Sequence, residues 1–131
     1  MGIDRIKPII WISSSRRDLC DFPLEARREC GFALYQAQRG RRHLSAKTMK
    51  GFGGGHVIEV VENDRAGAFR VVYTVAVQKA VYVLHAFQKK SKTGIKTPKE
   101  EIVKVRDRLG QAAADYQKRY FDEGNKEGEV S

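Results

Sequence analysis

The chain has 131 residues, a formal net charge of +9 and 41% apolar residues. This length suits one domain with one core, and the periodic apolar runs exclude a disordered basic tail. The apolar patch near the N-terminus is too short for a signal peptide and no run approaches the ~20 residues of a membrane span, so we expect a cytoplasmic protein. Neither Cys20 nor Cys30 has metal-ligand spacing, so we expect two buried, reduced thiols and no cofactor.

The first half of the chain predicts a strand followed by a helical hairpin. Residues 8–13 are apolar, β-branched and aromatic, which is typical of a strand. The serines that follow offer a cap for a short helix over residues 16–20, and Pro23 suits the first position of a second helix that ends at Gly40. The apolar stripe of that helix is Leu24, Cys30, Ala33, Leu34 and Ala37. Residues 41–55 end in three glycines and predict a flexible basic loop.

The second half predicts a three-stranded antiparallel meander and a final helix. Residues 56–62, 68–77 and 80–87 have strand patterns separated by turn signals. In the middle strand Phe69, Val71 and Tyr73 alternate with Arg70, so Arg70 points away from the aromatic face. Thr97, Pro98 and Glu100 predict a capping box that opens the last helix, whose apolar face packs on the sheet. We expect a single domain over residues 1–120 and a disordered, acidic tail over residues 121–131.

Positive charge is concentrated in two windows that contain no acidic residue. Residues 65–99 hold eight cations and residues 30–57 hold five, which together exceed the net charge of the chain. The cations are Arg65, Arg70, Lys79, Lys89, Lys90, Lys92, Lys96 and Lys99 in the first window, and Arg39, Arg41, Arg42, Lys47 and Lys50 in the second. Such segregation predicts a surface that binds a polyanion.

Three segments carry a resemblance to a known family. They are MKGFGGGHVIEVVE (residues 49–62), GAFRVVYTV (67–75) and VYVLHAFQKKSKTGIKTPKEEI (81–102). With the order of the predicted elements, they resemble the RelE/ParE toxin superfamily, and more narrowly its phage-derived HigB-like branch. The resemblance implies an α+β fold with an N-terminal strand, a helical hairpin, a three-stranded antiparallel meander that completes a curved sheet, and a C-terminal helix packed on the sheet.

The resemblance also implies a function. It implies the toxin of a type II toxin-antitoxin module, a ribosome-dependent and metal-independent endonuclease of messenger RNA. The partners would be mRNA, the ribosome and a helix-turn-helix, HigA-like antitoxin, with no membrane involved. Two other functions stay open, a ParE-like inhibitor of DNA gyrase and a non-catalytic RNA-binding phage accessory protein.

The chemistry needs particular side chains. Attack by the RNA's own 2'-hydroxyl requires a base, cations for the added charge and an acid for the leaving oxygen. By resemblance, Arg70 contacts the reacting phosphate, while Lys89, Lys90 and Lys92 supply the catalytic cations or the base. The remaining members of the predicted RNA-binding set are Lys47, Lys50, Lys96, Arg41 and Arg42. Each of these cations also suits a solvated surface position.

For several side chains the sequence allows either a functional or a structural role. Glu59 stands on the first meander strand, where RelE carries lysines, and suits either a base or a partner for Arg70 across the strand pair. His85 alternates with Val83 and Phe87, which favours a hydrogen-bonded strand histidine over an acid or base. We expect Phe87 and Tyr73 in the core, and we find no constellation around His43 or His56.

Overall fold

Five strands form a single mixed sheet in the computed structural model, which describes residues 6–89 and 97–122. The strands are β1 (Ile9–Trp11), β2 (Ala46–Thr48), β3 (Val57–Asp64), β4 (Gly67–Thr74) and β5 (Val81–Lys89). Their order across the sheet is β1-β5-β4-β3-β2. β1 pairs with β5 in parallel, and the other neighbours are antiparallel. The predicted antiparallel meander is therefore confirmed as β3, β4 and β5.

Three helices accompany the sheet. They are α1 (Ser15–Cys20), α2 (Leu24–Gln38) and α3 (Lys99–Gln117), and α3 continues into a π-helical turn over Lys118–Asp122. α1 and α2 begin within a residue or so of the predicted positions. Residues 123–131 of the predicted tail lie outside the described part of the chain. No described helix combines the length and the apolar character that crossing a bilayer requires.

The helices pack on opposite faces of the sheet, which define an α2 face and an α3 face. On the α2 face, Cys30 and Leu34 belong to one apolar cluster with Phe69, Val71 and Tyr73. Leu24, predicted in the same stripe of α2 as Cys30, is exposed and lies outside this cluster, so that part of the prediction was wrong. On the α3 face a second cluster includes Val57, Val72, Tyr82, Leu84, Val105 and Ala112. The aromatic side of β4 and the sheet-packing side of α3 are as predicted, and the α+β architecture is confirmed.

The segment between α2 and β3 is more ordered than predicted. It contains β2, and Met49 and Phe52 pack against the α3-face cluster. The Arg106 guanidinium lies 4.6 Å from the centre of the Phe52 ring and donates a hydrogen bond to the carbonyl of Gly51. The prediction of a flexible loop was wrong here because contacts with α3, distant in sequence, hold the segment.

An irregularity in β5 changes which face its side chains occupy. Val72 pairs with His85, whereas Tyr73 pairs with Val83, so Leu84 is an extra residue, a β-bulge. His85 therefore shares the α3 face with Leu84 and Phe87, while Val83 lies in the cluster of the α2 face. Strict alternation, which placed His85 with both Val83 and Phe87, was wrong on this point.

The two cysteines differ in environment. Both are free thiols, but Cys20 is exposed and only Cys30 is buried. Burial raises the pKa of Cys30 to about 12, so this thiol stays protonated. The prediction of two buried thiols was correct for Cys30 and wrong for Cys20, which is the last residue of α1 and is exposed.

Candidate functional site

A buried ion pair occupies the centre of the α3 face. Arg70 of β4 is 3% exposed and Glu59 of β3 is 9% exposed. Arg70 Nη1 donates to Glu59 Oε2 at 3.1 Å, which confirms Glu59 as the cross-strand partner of Arg70. The pair is diagonal, because Glu59 stands opposite Val72 and Arg70 opposite Val61. Arg70 is thus an internal arginine, contrary to the surface position that a half-exposed strand would give it.

Thr97 ties the ion pair to the start of α3. Its hydroxyl donates to Glu59 Oε2 at 2.8 Å and accepts from Arg70 Nη1 at 3.1 Å. The predicted capping box is wrong, because Pro98 occupies the cap position and no side chain caps the helix. The Thr97 hydroxyl satisfies buried charges on the sheet instead of a backbone N–H of α3. Sequence spacing alone does not distinguish these two sets of hydrogen-bond partners.

Two predicted cations lie on the same face as the ion pair. Lys47 of β2 stands opposite Glu59, and Lys89 of β5 stands opposite Ala68, which is two residues from Arg70. Cross-strand partners point to the same side of a sheet, so Lys47 and Lys89 both project on the α3 face. Lys47 is exposed and Lys89 is partly exposed. The buried Arg70–Glu59 pair is therefore flanked by a cation on each side.

The other predicted cations divide between the two faces. Lys50 is exposed in the segment that packs beside α3 through Met49 and Phe52. Arg41 and Arg42 follow α2, and Arg42 Nη2 donates to the hydroxyl of Thr48, which stands opposite Ile58 of the α2-face cluster. These two arginines are therefore not brought together with Lys47 and Lys89. Lys90, Lys92 and Lys96 lie outside the described residues.

His85 is enclosed by a second network on the α3 face. It is 3% exposed, its Nε2 lies 2.6 Å from Glu101 Oε1, and its Nδ1 accepts from Arg108 Nη1 at 2.9 Å. An arginine can only donate, so Nε2 carries the proton that bonds to Glu101. Burial is the largest cause that lowers the pKa of His85, and Arg108 lowers it further, against the opposing effect of Glu101. A neutral ring with both nitrogens engaged supports the structural interpretation.

The two aromatic residues weighed for function are core residues, as predicted. Tyr73 is 1% exposed, and burial raises its pKa to about 12, so its phenol remains protonated. Phe87 is buried and stacks on His85 with ring centres 4.8 Å apart. Neither ring is presented to solvent for base stacking.

A cluster of titratable side chains surrounds His43, so the prediction that this histidine has no constellation was wrong. This histidine is 7% exposed, its Nε2 lies 2.7 Å from Glu29 Oε1, and Glu62 offers a third group nearby. Burial and the charge of Glu29 raise the pKa of Glu62, while His43 lowers it. The residues come from α2, the following loop and β3, so no local spacing in the sequence connects them.

This cluster has three potential metal ligands, but the histidine tautomer opposes a metal. The backbone N–H of Ser45 donates to His43 Nδ1 at 2.9 Å, which places the ring proton on Nε2. Nε2 is the atom directed at the carboxylates, and a metal ligand must be unprotonated at the coordinating nitrogen. The geometry fits a hydrogen-bonded histidine that joins the loop to α2.

The sheet, the helices on its two faces and the flanked ion pair define a small α+β protein with a RelE-like arrangement. The chain belongs to the family described as phage derived protein Gp49-like (DUF891), whose model matches residues 17–110. This family is part of the RelE/HigB-like toxin superfamily. No curated protein matches the chain.

Proposed function

We propose that the chain is the toxin of a type II toxin-antitoxin module and cleaves messenger RNA on the ribosome in the cytoplasm. The observation that carries the proposal is the α3 face of this Gp49-like protein, where Lys47 and Lys89 flank the buried Arg70–Glu59 pair. Single-stranded RNA needs such a line of cations, because each phosphate that it brings to a protein must be neutralised.

We assign Lys89, with Lys90 and Lys92 that follow it, to the reacting phosphate. Their positive charges would stabilise the charge that develops when the 2'-hydroxyl attacks, and one of these lysines would accept the proton of that hydroxyl. Lys47, Lys50 and Lys96 would bind the flanking backbone. The nucleophile belongs to the RNA, so this chemistry needs no metal.

Arg70 has two possible roles in this mechanism. Direct contact with a phosphate would require the Arg70 guanidinium to become exposed, because the side chain is buried and its Nη1 is engaged by Glu59 and Thr97. Alternatively it is a positioning residue, which holds Thr97 and thereby the point where the lysine-bearing segment joins α3. An uncharged replacement should abolish cleavage in the first role and leave it near normal in the second, provided the protein stays folded.

Cleavage on translating ribosomes tests the function. Expression of the chain should arrest growth, and primer extension should reveal new 5' ends within translated messages. Lys89→Ala should reduce cleavage, whereas Lys118→Ala, an exposed lysine in the π-helical turn, should not. Growth arrest with gyrase-linked DNA breaks and intact mRNA would contradict the proposal and support gyrase inhibition.

A further inference from the structure

The outer side of α2 carries an exposed stripe of apolar and arginine side chains. With about 3.6 residues per turn, spacings of three and four align its members on one side of the helix. We define the outer stripe of α2 as Leu24, Arg28, Phe32, Tyr35 and, just after the helix, Arg39. Leu24 is 49% exposed, Phe32 50% and Tyr35 41%. The buried residues of α2 lie on the opposite side, so the core does not account for the stripe.

Neighbouring side chains extend this surface. The Phe32 ring lies 5.8 Å from the ring of His43, and Leu44 next to it is fully exposed. Arg39 lies 5.8 Å from the centre of the Tyr35 ring. Large apolar side chains gathered with arginines are typical of protein interfaces, where aromatic residues and arginine supply much of the binding energy.

We propose that the outer stripe of α2 docks an amphipathic helix that carries acidic side chains and belongs to a partner polypeptide. Arg28 and Arg39 belong to the stripe, and the exposed Arg41 and Arg42 directly precede His43, whose ring contacts that of Phe32. The acids of α2, Glu25 and Glu29, stand along one edge of the stripe, where they line a pocket with Glu62 and Asp64. A helix with an apolar stripe edged by carboxylates complements this surface in shape and in charge.

The same observations disfavour two other occupants. A second copy of the chain would bring arginines against arginines, because the acids of α2, Glu25 and Glu29, stand only along one edge of the stripe. RNA would satisfy the arginines but would leave Leu24 and Leu44 without an apolar partner. The stripe lies on the α2 face, so the docked helix would cover Arg41 and Arg42 and leave Lys47 and Lys89 on the other face uncovered.

Binding to the polypeptide encoded next to this chain tests the proposal, which in this respect rests on the proposed module. We expect the double variant Phe32→Glu/Tyr35→Glu to bind roughly thirtyfold or more weakly by calorimetry, as when central interface residues are lost. Arg28→Glu, a single change at an exposed position, should also weaken binding. Val103→Glu is the matched control, because Val103 is an exposed apolar residue on α3. Melting temperatures establish that all variants are folded.

The outcomes separate this inference from the proposed function. Equal binding by wild type, Arg28→Glu and Val103→Glu, or no binding by the wild type, overturns the docking surface. Loss of RNA binding with unchanged binding of the polypeptide also overturns it and identifies the stripe as an RNA surface. If the wild type binds through the stripe but neither arrests growth nor cleaves mRNA, the docking surface stands and the nuclease function fails.

Discussion

Arg70 and Glu59 form an ion pair in which both side chains are largely buried. Arg70 Nη1 lies 3.1 Å from Glu59 Oε2, and the two side chains are 4% and 11% exposed. A buried pair is favourable only while both members are present, because either charge alone is left without its counter-charge in a poorly hydrated site. The stability of the sheet and any chemistry on the α3 face are therefore coupled at this point.

Arg70→Ala should lower the free energy of unfolding by about 3–5 kcal/mol, because it leaves Glu59 charged and buried. The double variant Glu59→Gln/Arg70→Met should recover most of that loss, because it removes both charges and keeps the volume. Chemical denaturation measures both. If Arg70→Ala melts like the wild type, the pair contributes little and the geometry is not maintained in solution.

The double variant also decides the role of Arg70 in cleavage. The Glu59→Gln/Arg70→Met protein is compared with the single variant Glu59→Gln. If the double variant is folded but inactive while the single variant cleaves mRNA, Arg70 contacts the phosphate. Near-normal cleavage by the double variant would assign it to structure. The comparison uses single-turnover rates of mRNA cleavage on ribosomes, measured for variants of similar free energy of unfolding.

Thr97→Val should destabilise the protein by about 1–3 kcal/mol, because Glu59 loses a hydroxyl donor in a buried site. Thr97→Ser keeps the hydroxyl and serves as the control, with a much smaller change. The free energy of unfolding, measured for all three proteins in one denaturant series, distinguishes them. A valine variant as stable as the serine variant would show that the hydroxyl does not hold Glu59.

The stability of the protein should fall with decreasing pH below about 6.5, partly because of His85. Burial lowers the pKa of His85 from 6.5, so in this range the unfolded chain binds the proton and the folded chain does not. His85→Gln keeps a donor towards Glu101 and should flatten this part of the pH dependence. The exposed His56→Gln variant should not, and denaturation across about pH 5 to 7.5 compares the slopes.

Glu62→Gln should stabilise the protein at neutral pH. Burial and Glu29 raise the pKa of Glu62 above 4.5, so the folded state binds a proton more readily than the unfolded state and loses stability as pH rises through this window. The advantage of the variant should shrink as pH falls towards 4.5. Glu25→Gln, an exposed carboxyl in the same pocket, is the control. A Glu62→Gln protein less stable than wild type at pH 7 would contradict the sign.

RNA binding should weaken with salt, with a slope that falls by about 0.7 for each phosphate contact removed. Lys47→Ala and Lys89→Ala should each reduce the slope by this amount, whereas Lys118→Ala should leave it unchanged. A single-stranded RNA with 2'-O-methyl groups avoids cleavage during fluorescence anisotropy. Identical slopes for all variants would place the RNA elsewhere on the surface.

Much of the fold could be predicted because its signals are local. Alternation in β4 and the apolar spacing of α3 each depend on neighbours within a few residues, whereas the predicted serine cap of α1 was wrong, because Ser14 stands at the cap position without a side-chain cap bond. The structural features that the sequence did not predict depend on contacts between distant segments. The bulge at Leu84 needs the register against β4, the ordered loop needs Arg106, and the hydroxyl of Thr97 bonds to Glu59, 38 residues away.

The same limit applies to the site. Basic residues and the Glu59–Arg70 partnership could be anticipated from charge and strand pairing, but the burial of Arg70 depends on Thr97 and α3. The His43 cluster joins three separate segments and has no sequence signal. The lysines Lys90, Lys92 and Lys96 remain predictions.

The parallel pairing of β1 with β5 has a consequence for synthesis. The hydroxyl of Ser15 bonds to the carbonyl of Val83, 68 residues later, and Arg108 reaches Ser14 across 94 residues. Contacts so distant in sequence slow folding, because a long loop must close before they form. Most of the chain must therefore emerge from the ribosome before β1 can pair with β5. If the protein inhibits translation, it cannot act on the ribosome that synthesises it until the chain is nearly complete.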